Sequence, residues 1–297
     1  HLVADSSALK ALGWRPKIPF KRGLNETLDW MVERDRVEDR LDEAIDGLRD
    51  RRIVQGGKGS TPTAKAEITH TLSVVVPAYD EAGNIERMVS DCLTHLPTFT
   101  RRFEVIVVND GSRDGTREVV ESLARRDSRV RPLHHPFNMG YGAAQKSGFE
   151  AARYDWVALV PADNQFDIRD LRRYLALSDD ADIIGGVRID RKEAADRRWV
   201  SDLYNRYIRS RYGVALSDLN WVKMYRGELL RQIEVETPGF SADAEVVIKL
   251  MKLGARVKEL EVEHYPRTWG DETHVSLKNL ATTAQELWTL SDKLRDV

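Results

Sequence analysis

Residues 73–84 read Ser73-Val-Val-Val-Pro-Ala-Tyr-Asp-Glu-Ala-Gly-Asn84, an apolar run that passes straight into a polar turn. The pattern returns as Val105-Ile-Val-Val-Asn-Asp-Gly-Ser-Arg-Asp-Gly-Thr116 and as Trp156-Val-Ala-Leu-Val-Pro-Ala-Asp-Asn-Gln-Phe-Asp167. Near-continuous apolar runs of this length suit strands covered on both faces, whereas a half-wet strand would alternate. The three runs therefore predict an α/β fold with a mostly parallel sheet. Each carries its acids beyond the strand's C-terminal end, where open parallel sheets bind ligands. Any single Asn-Asp-Gly or Asp-Asn turn is ordinary turn chemistry. Three in order, each behind a buried strand, point to a site. Pro77 and the glycines at 83, 111 and 115 let the backbone turn tightly beside a ligand. Between the second and third strands, Asn138-Met-Gly-Tyr-Gly-Ala-Ala-Gln-Lys-Ser-Gly148 reads as a glycine turn that opens a helix.

On these segments the chain resembles the inverting family 2 glycosyltransferases of the GT-A fold. The likeness is greatest to the polyprenyl-phosphate sugar transferases, such as dolichol-phosphate mannosyltransferase, and covers roughly residues 71–290. It implies a Rossmann-like, mostly parallel central sheet with flanking helices and a nucleoside-diphosphate sugar donor carrying UDP, GDP or dTDP. By the same likeness Pro77, Ala78, Tyr79 and Glu81 would wall the base and ribose pocket, and Asp110 would accept from the N–H edge of the base. Gly140 would stand in the turn beside the donor while Lys146 approaches its diphosphate. The third segment corresponds to the family's Asp-x-Asp element. Pro161 replaces its first Asp, which leaves Asp163 and Gln165 as oxygen ligands. Mg²⁺ or Mn²⁺ suits so sparse a set, because phosphate and water complete the shell. The plainer alternative is a strand-ending turn, with Asp167 as the N-cap of a helix at 168–177.

The second half supplies the acceptor side by likeness. Arg188, Arg191 and Arg198 precede a helical stretch at 199–212, and Arg188 and Arg206 would lead an acceptor phosphate to the sugar. That helix either lies on a membrane, its arginines meeting lipid phosphates, or packs on the sheet with a solvated basic side. Residues 218–226 would build the floor beneath the sugar. Asp243 and Glu245 open a later helix, and at spacing i, i+2 they do not share a face, so at most one reaches the chemistry. A phosphate acceptor needs no base; a hydroxyl does, and Asp243 is the candidate. Glu263-His-Tyr-Pro-Arg-Thr-Trp-Gly-Asp-Glu-Thr-His274 sits where the family carries Arg-x-x-Gly-x-Ser-Lys. Arg267 is retained, with a planar fork suited to phosphate. Acidic Asp271 and Glu272 enter the loop, and His274 falls near the missing cation, as a phosphate ligand or as a solvated side chain. Asp163, Asp243 and Arg267 are thus the expected catalytic residues, acting in a single displacement that inverts the anomeric carbon.

A formal charge of −2 across 297 residues gives no bias toward nucleic acid. The single cysteine, Cys92, excludes an internal disulfide and fits a cytoplasmic protein, at the inner face of a membrane if the acceptor is lipid. Neither a signal peptide nor an apolar run of about 18 residues is seen, so contact with a bilayer is expected to be peripheral. Residues 1–53 predict a helical arm. Its first 35 residues, with Leu12-Gly-Trp-Arg-Pro16, resemble the C-terminal tail of extended short-chain dehydrogenases, the nucleotide-sugar epimerases and dehydratases. The likeness implies fusion or association with such an enzyme; packing of the arm on the main domain or on a partner, including a second copy in a homo-oligomer, is the alternative. A polar linker is expected at 54–69 and the GT-A domain at 70–297. Two other classes stay open: a nucleotidyltransferase, disfavoured because Pro-Ala-Tyr-Asp-Glu replaces a glycine-rich basic loop after the first strand, and a catalytically silent nucleotide-sugar-binding scaffold.

Overall fold

The computed structural model describes residues 69–189, 195–267 and 269. The arm at 1–53, nearly all of the linker and His274 lie outside the described residues. The chain divides into two units, 1–66 and 67–297, and the elements below belong to the second.

The described residues form seven strands and seven α-helices in the order β1 (Thr71–Ala78), α1 (Ile85–His95), β2 (Arg102–Asn109), α2 (Thr116–Arg126), β3 (Val130–His134), α3 (Tyr141–Ala151), β4 (Trp156–Leu159), α4 (Leu171–Leu175), β5 (Ile183–Ile189), α5 (Ala195–Tyr212), β6 (Lys223–Arg226), α6 (Gly227–Leu230), α7 (Ala242–Lys252) and β7 (Val257–Glu263). They form one sheet in the order β3-β2-β1-β4-β6-β5-β7. Every pairing is parallel except the two made by β6. The apolar runs lie inside this sheet as their composition requires. Leu72, Val74 and Val76 pack against Ile85, Met88 and Val120 on one face. Val75, Ile106 and Val108 pack against Ala144, Phe149 and Val246 on the other.

The chain leaves β1 toward β2 on one side and returns to pair β4 on the other, so the loops after β1 and β4 diverge and open a crevice at the sheet's topological switch point. Asp80 (φ 54°) and Asn164 (φ 61°) hold left-handed backbone in these two loops. Asp and Asn tolerate that region better than other side chains, and it is concentrated at binding sites. The helix expected at 168–177 is shorter: Asp167 accepts from Arg169 N at 2.9 Å, which closes a 3₁₀ turn at Ile168–Asp170 before α4 begins. No helix among the described residues is long and apolar enough to cross a membrane.

Candidate active site

Three segments distant in sequence meet at the C-terminal ends of β1, β4 and β7. Glu81, in the turn after β1, is buried; its Oε2 accepts from Asn84 Nδ2 at 2.6 Å and its Oε1 from Arg267 Nη2 at 2.5 Å. Arg267, four residues beyond β7, also donates Nε–H to the carbonyl of Trp269 at 2.7 Å, and its Nη1 lies 4.0 Å from Asp163 Oδ2. Asp163, in the loop after β4, accepts at Oδ1 from the amide of Gln165 at 3.0 Å. Asn164 Nδ2 reaches the carbonyl of Asn84 at 3.1 Å, and Tyr265 N the carbonyl of Gln165 at 3.1 Å, so the loops are stitched to one another. Burial raises the Glu81 carboxyl above its ordinary value against the pull of Asn84 and Arg267, and the nearby charge of Asp163 adds to the rise. One guanidinium thus serves two acidic groups in the crevice.

A second constellation surrounds Asp110 at the end of β2. Its Oδ1 accepts from Met139 N at 2.9 Å and from His135 Nδ1 at 2.6 Å, and its Oδ2 from Gly140 N at 2.9 Å. His135 Nε2 lies 2.9 Å from Ser147 Oγ on α3. Gly140 takes φ 99°, and a side chain there would run into the carbonyl of Pro238. The glycine turn is therefore needed both for its backbone shape and for its close approach to the loop before α7. His135 was missed from sequence; the trace it leaves there is the histidine pair His134-His135 after Val130-Arg-Pro-Leu133. Pro77 and Ala78 close β1 beside this carboxylate, whose amide donates to the Ala78 carbonyl at 2.9 Å, and Tyr79 stands exposed next to them.

Asp243, at the first turn of α7, is almost fully buried. Lys223 Nζ lies 3.3 Å from its Oδ1, Gln145 Nε2 donates to the same oxygen at 3.2 Å, and Tyr141 Oη donates to Oδ2 at 3.3 Å. Lys223 is itself wholly buried and donates to the carbonyls of Leu219 and Trp221 at 2.6 and 2.7 Å. Burial raises the Asp243 carboxyl, opposed first by Lys223. Glu245 turns the other way and serves the scaffold: it pairs with Lys249 at 2.7 Å and accepts from the amides of Glu236 and Thr237.

Other expected phosphate ligands are already occupied or stand apart. The fork of Arg188 is taken by Asp218, at 2.7 and 2.9 Å, and stacks over Trp221, which places it in the wall of the fold. Lys146 pairs with Glu234 at 2.7 Å, so a diphosphate would compete there with a carboxylate. Arg206 lies on the exposed side of α5, with Tyr207 and Arg209.

Among the described residues no cluster of three or more His, Cys, Asp or Glu could hold a metal by itself. The Asp163 turn nevertheless fits a hard cation shared with a diphosphate, because Asp163 brings a carboxylate and the side-chain amide of Gln165, two residues on, makes no hydrogen bond among the described residues.

Comparison with known proteins agrees with this architecture. The family model described as glycosyl transferase family 2 matches residues 73–242, more than half of the chain. The chain belongs to glycosyl transferase family 2. It is 27% identical over 216 residues to an undecaprenyl-phosphate 4-deoxy-4-formamido-L-arabinose transferase of Pseudomonas savastanoi pv. phaseolicola, across 70% of this chain and 61% of that protein. It is 33% identical over 217 residues to the glycosyltransferase AglD of Haloferax volcanii, across 69% of this chain and 35% of the relative. Glucosyl-3-phosphoglycerate synthase of Mycobacterium tuberculosis, crystallised with Mn²⁺, UDP and glucosyl-3-phosphoglycerate, superposes with a TM-score of 0.54 at 18% identity, across 74% of this chain and 80% of that one. The fold is GT-A, and the chain spans less than two thirds of the length of these two sequence relatives.

Proposed function

We propose that this chain transfers a sugar from a nucleoside-diphosphate sugar to a polyprenyl phosphate, with inversion at the anomeric carbon. The observation that carries the reading is the convergence of Glu81, Asp163 and Arg267 on the crevice at the switch point of the sheet. Asp163 and Gln165 would hold Mg²⁺ or Mn²⁺, which when bound supplies positive charge to the departing diphosphate. Arg267 adds a charge-assisted fork on the same side, exchanging its contact with Glu81 for phosphate oxygens. Asp110 holds the base, and the walls formed by Pro77, Ala78 and Tyr79 exclude water from it.

The choice of a phosphate over a hydroxyl acceptor follows from Asp243. Lys223 and Gln145 engage its Oδ1, Tyr141 engages its Oδ2, and the side chain is almost fully buried, so a hydroxyl acceptor has poor access to it as a base. A phosphate is an anionic nucleophile at neutral pH and needs none. The undecaprenyl-phosphate relatives point the same way. The exposed Arg206, Tyr207 and Arg209 of α5 would rest on the anionic cytoplasmic face of a membrane, where such an acceptor resides.

The test is transfer from a panel of nucleotide sugars to undecaprenyl phosphate with Mn²⁺, with and without a chelator, the product's anomeric configuration being read by NMR. Metal-dependent formation of the inverted glycosyl phosphate supports the reading, and a retained configuration overturns its mechanism. Asp163→Ala is expected to lower kcat/KM by about a hundredfold or more.

A further inference from the structure

Six of the nine large apolar side chains that stand exposed among the described residues gather at one end of the sheet, the end that carries the crevice. Tyr79 follows β1, Phe137 and Met139 follow β3, and Tyr265 and Trp269 follow β7, three strands that run in the same direction. Phe240, in the loop before α7, is brought to this end by Gly142 N, which donates to the carbonyl of Pro238 at 2.8 Å, and by stacking of its ring on Tyr141 with centroids 5.7 Å apart. Single exposed hydrophobics need no explanation, but a group of them marks a surface that is covered in use. Phe137, Met139 and Phe240 are 65, 44 and 60% exposed, on two loops that are fastened to each other. The loops are not free to turn these side chains inward. The amides of Met139 and Gly140 are held by Asp110, and Gly111 backs directly onto the main chain of Phe137. Neither 136–145 nor 237–242 contains a charged residue.

We infer that the tips of these two loops, Phe137, Met139 and Phe240, enter the interfacial layer of a phospholipid bilayer, so that the crevice end of the sheet faces the membrane. The occupant follows from the acceptor reading proposed above, on which this inference rests. The phosphate of a polyprenyl phosphate stays at the bilayer surface while its chain stays in the hydrocarbon, so the rim of the crevice must lie in the headgroup layer to receive it. Phe and Met side chains leave water there, and the amides of Met139, Gly140 and Gly142, already bonded within the fold, bring no unpaired donor with them. The contact is separate from the basic side of α5, which meets lipid phosphates by charge. The loops carry none, so their attachment persists where salt screens the arginines.

The test uses the full chain with Asn138→Cys, labelled with the environment-sensitive fluorophore NBD. Asn138 is exposed between Phe137 and Met139, and the chain's own Cys92 is buried. On vesicles of phosphatidylcholine and phosphatidylglycerol at high salt, the emission is expected to rise and shift to the blue, and doxyl-labelled acyl chains to quench it. An unchanged spectrum overturns the inference, as does a shift that needs no vesicles and grows with protein concentration, which would assign the face to a second copy of the chain. In vesicle flotation at the same salt, Phe137→Ser and Phe240→Ser, checked for folding by circular dichroism, should each lower partitioning by about tenfold or more, the effect of withholding one Phe side chain from an apolar medium. Folded variants that partition like the parent chain also overturn it. Transfer to polyprenyl phosphate dissolved in detergent tests the acceptor apart from docking. Insertion without such transfer removes the acceptor reading and leaves the docking surface standing, and transfer without insertion does the reverse.

Discussion

The indole of Trp269 lies directly over Gly83, so close that a methyl group at position 83 would stand within 2.8 Å of Trp269 Cε2. The backbone carbonyl of Trp269 also accepts from Asn84 Nδ2 at 3.1 Å and from Arg267 Nε at 2.7 Å. Gly83→Ala must therefore lift the loop that carries Arg267. Trp269 is 51% exposed, so little buried surface is at stake and stability should change by no more than about 1 kcal/mol. The catalytic cost should be larger, about tenfold in kcat/KM, since misplacing a charged fork by an ångström removes much of its effect. Denaturant titration beside steady-state kinetics checks both halves; an unchanged kcat/KM would mean that the contact does not position Arg267.

Glu81 sits in a state that favours function over stability. Its pKa is raised, chiefly by burial, so the neutral form is the better tolerated one in the fold. A carboxyl whose folded value lies above its unfolded value contributes more stability as pH falls through the folded value, and less above it. Glu81→Gln imitates the neutral form and should leave the melting temperature at pH 7 unchanged or slightly higher. Transfer should fall by tenfold or more, because Arg267 and Asn84 lose the carboxylate that aligns them. A marked drop in melting temperature would contradict this balance.

How much of this could be read from sequence depended on whether the cause was local. Val74–Val76 and Val105–Val108 declare strands covered on both faces because no position in them is polar. The acids that follow such strands fall at the crevice because strand direction and the switch point put them there. Lys223 shows the limit. In Trp221-Val-Lys-Met-Tyr-Arg226 it resembles the outward residue of an edge strand, yet β6 is an interior strand and the lysine is wholly buried, with a counter-ion twenty residues away on α7. The enclosure of Arg188 by Asp218 and Trp221, and of Asp110 by His135, likewise depends on contacts across 25 to 33 positions that no local pattern encodes. Asp167 was legible as a cap, but its i+2 bond favours a tight 3₁₀ turn over the longer helix expected.

At the edge of the sheet opposite the site, Asp182 ties three strands together. It accepts from Arg256 N at 3.0 Å, from Arg256 Nε at 3.0 Å and from Arg226 Nε at 2.7 Å, joining the ends of β5, β6 and β7. The Arg256 side chain first, then its backbone amide and Arg226, hold the Asp182 carboxyl far below the ordinary carboxylate value, against some burial. The stability it contributes is present above the unfolded Asp value of about 4 and is lost as pH falls toward the folded value. Asp182→Asn should cost about 1–3 kcal/mol at pH 7 and little activity. The gap to the parent chain should hold from pH 7 to about 5, narrow progressively below about 4 and close only as the pH approaches the folded value; a gap as large at pH 2 as at pH 7 would exclude the ion pairs as its origin.

The Lys223–Asp243 pair, 3.3 Å apart and buried on both sides, sets a sharper test. Removing one member of such a pair strands the other charge, which typically costs about 3–5 kcal/mol, whereas removing both costs far less. Lys223→Met should therefore be the more damaging single change, since it also leaves the Leu219 and Trp221 carbonyls without their donor. Asp243→Asn should cost less, and Lys223→Met/Asp243→Asn less than the sum of the two by at least about 1 kcal/mol. The pH dependence follows from Asp243. Burial already raises its pKa, and Lys223 is the first influence that opposes the rise. Without the lysine the carboxyl should take up a proton more readily, so the deficit of Lys223→Met should shrink between pH 7.5 and 5.5, while that of Asp243→Asn should change less. Urea titrations of the four proteins at both pH values decide the matter. Additive and pH-independent costs would mean that Lys223 is held by its two carbonyls alone and that Asp243 does not depend on it.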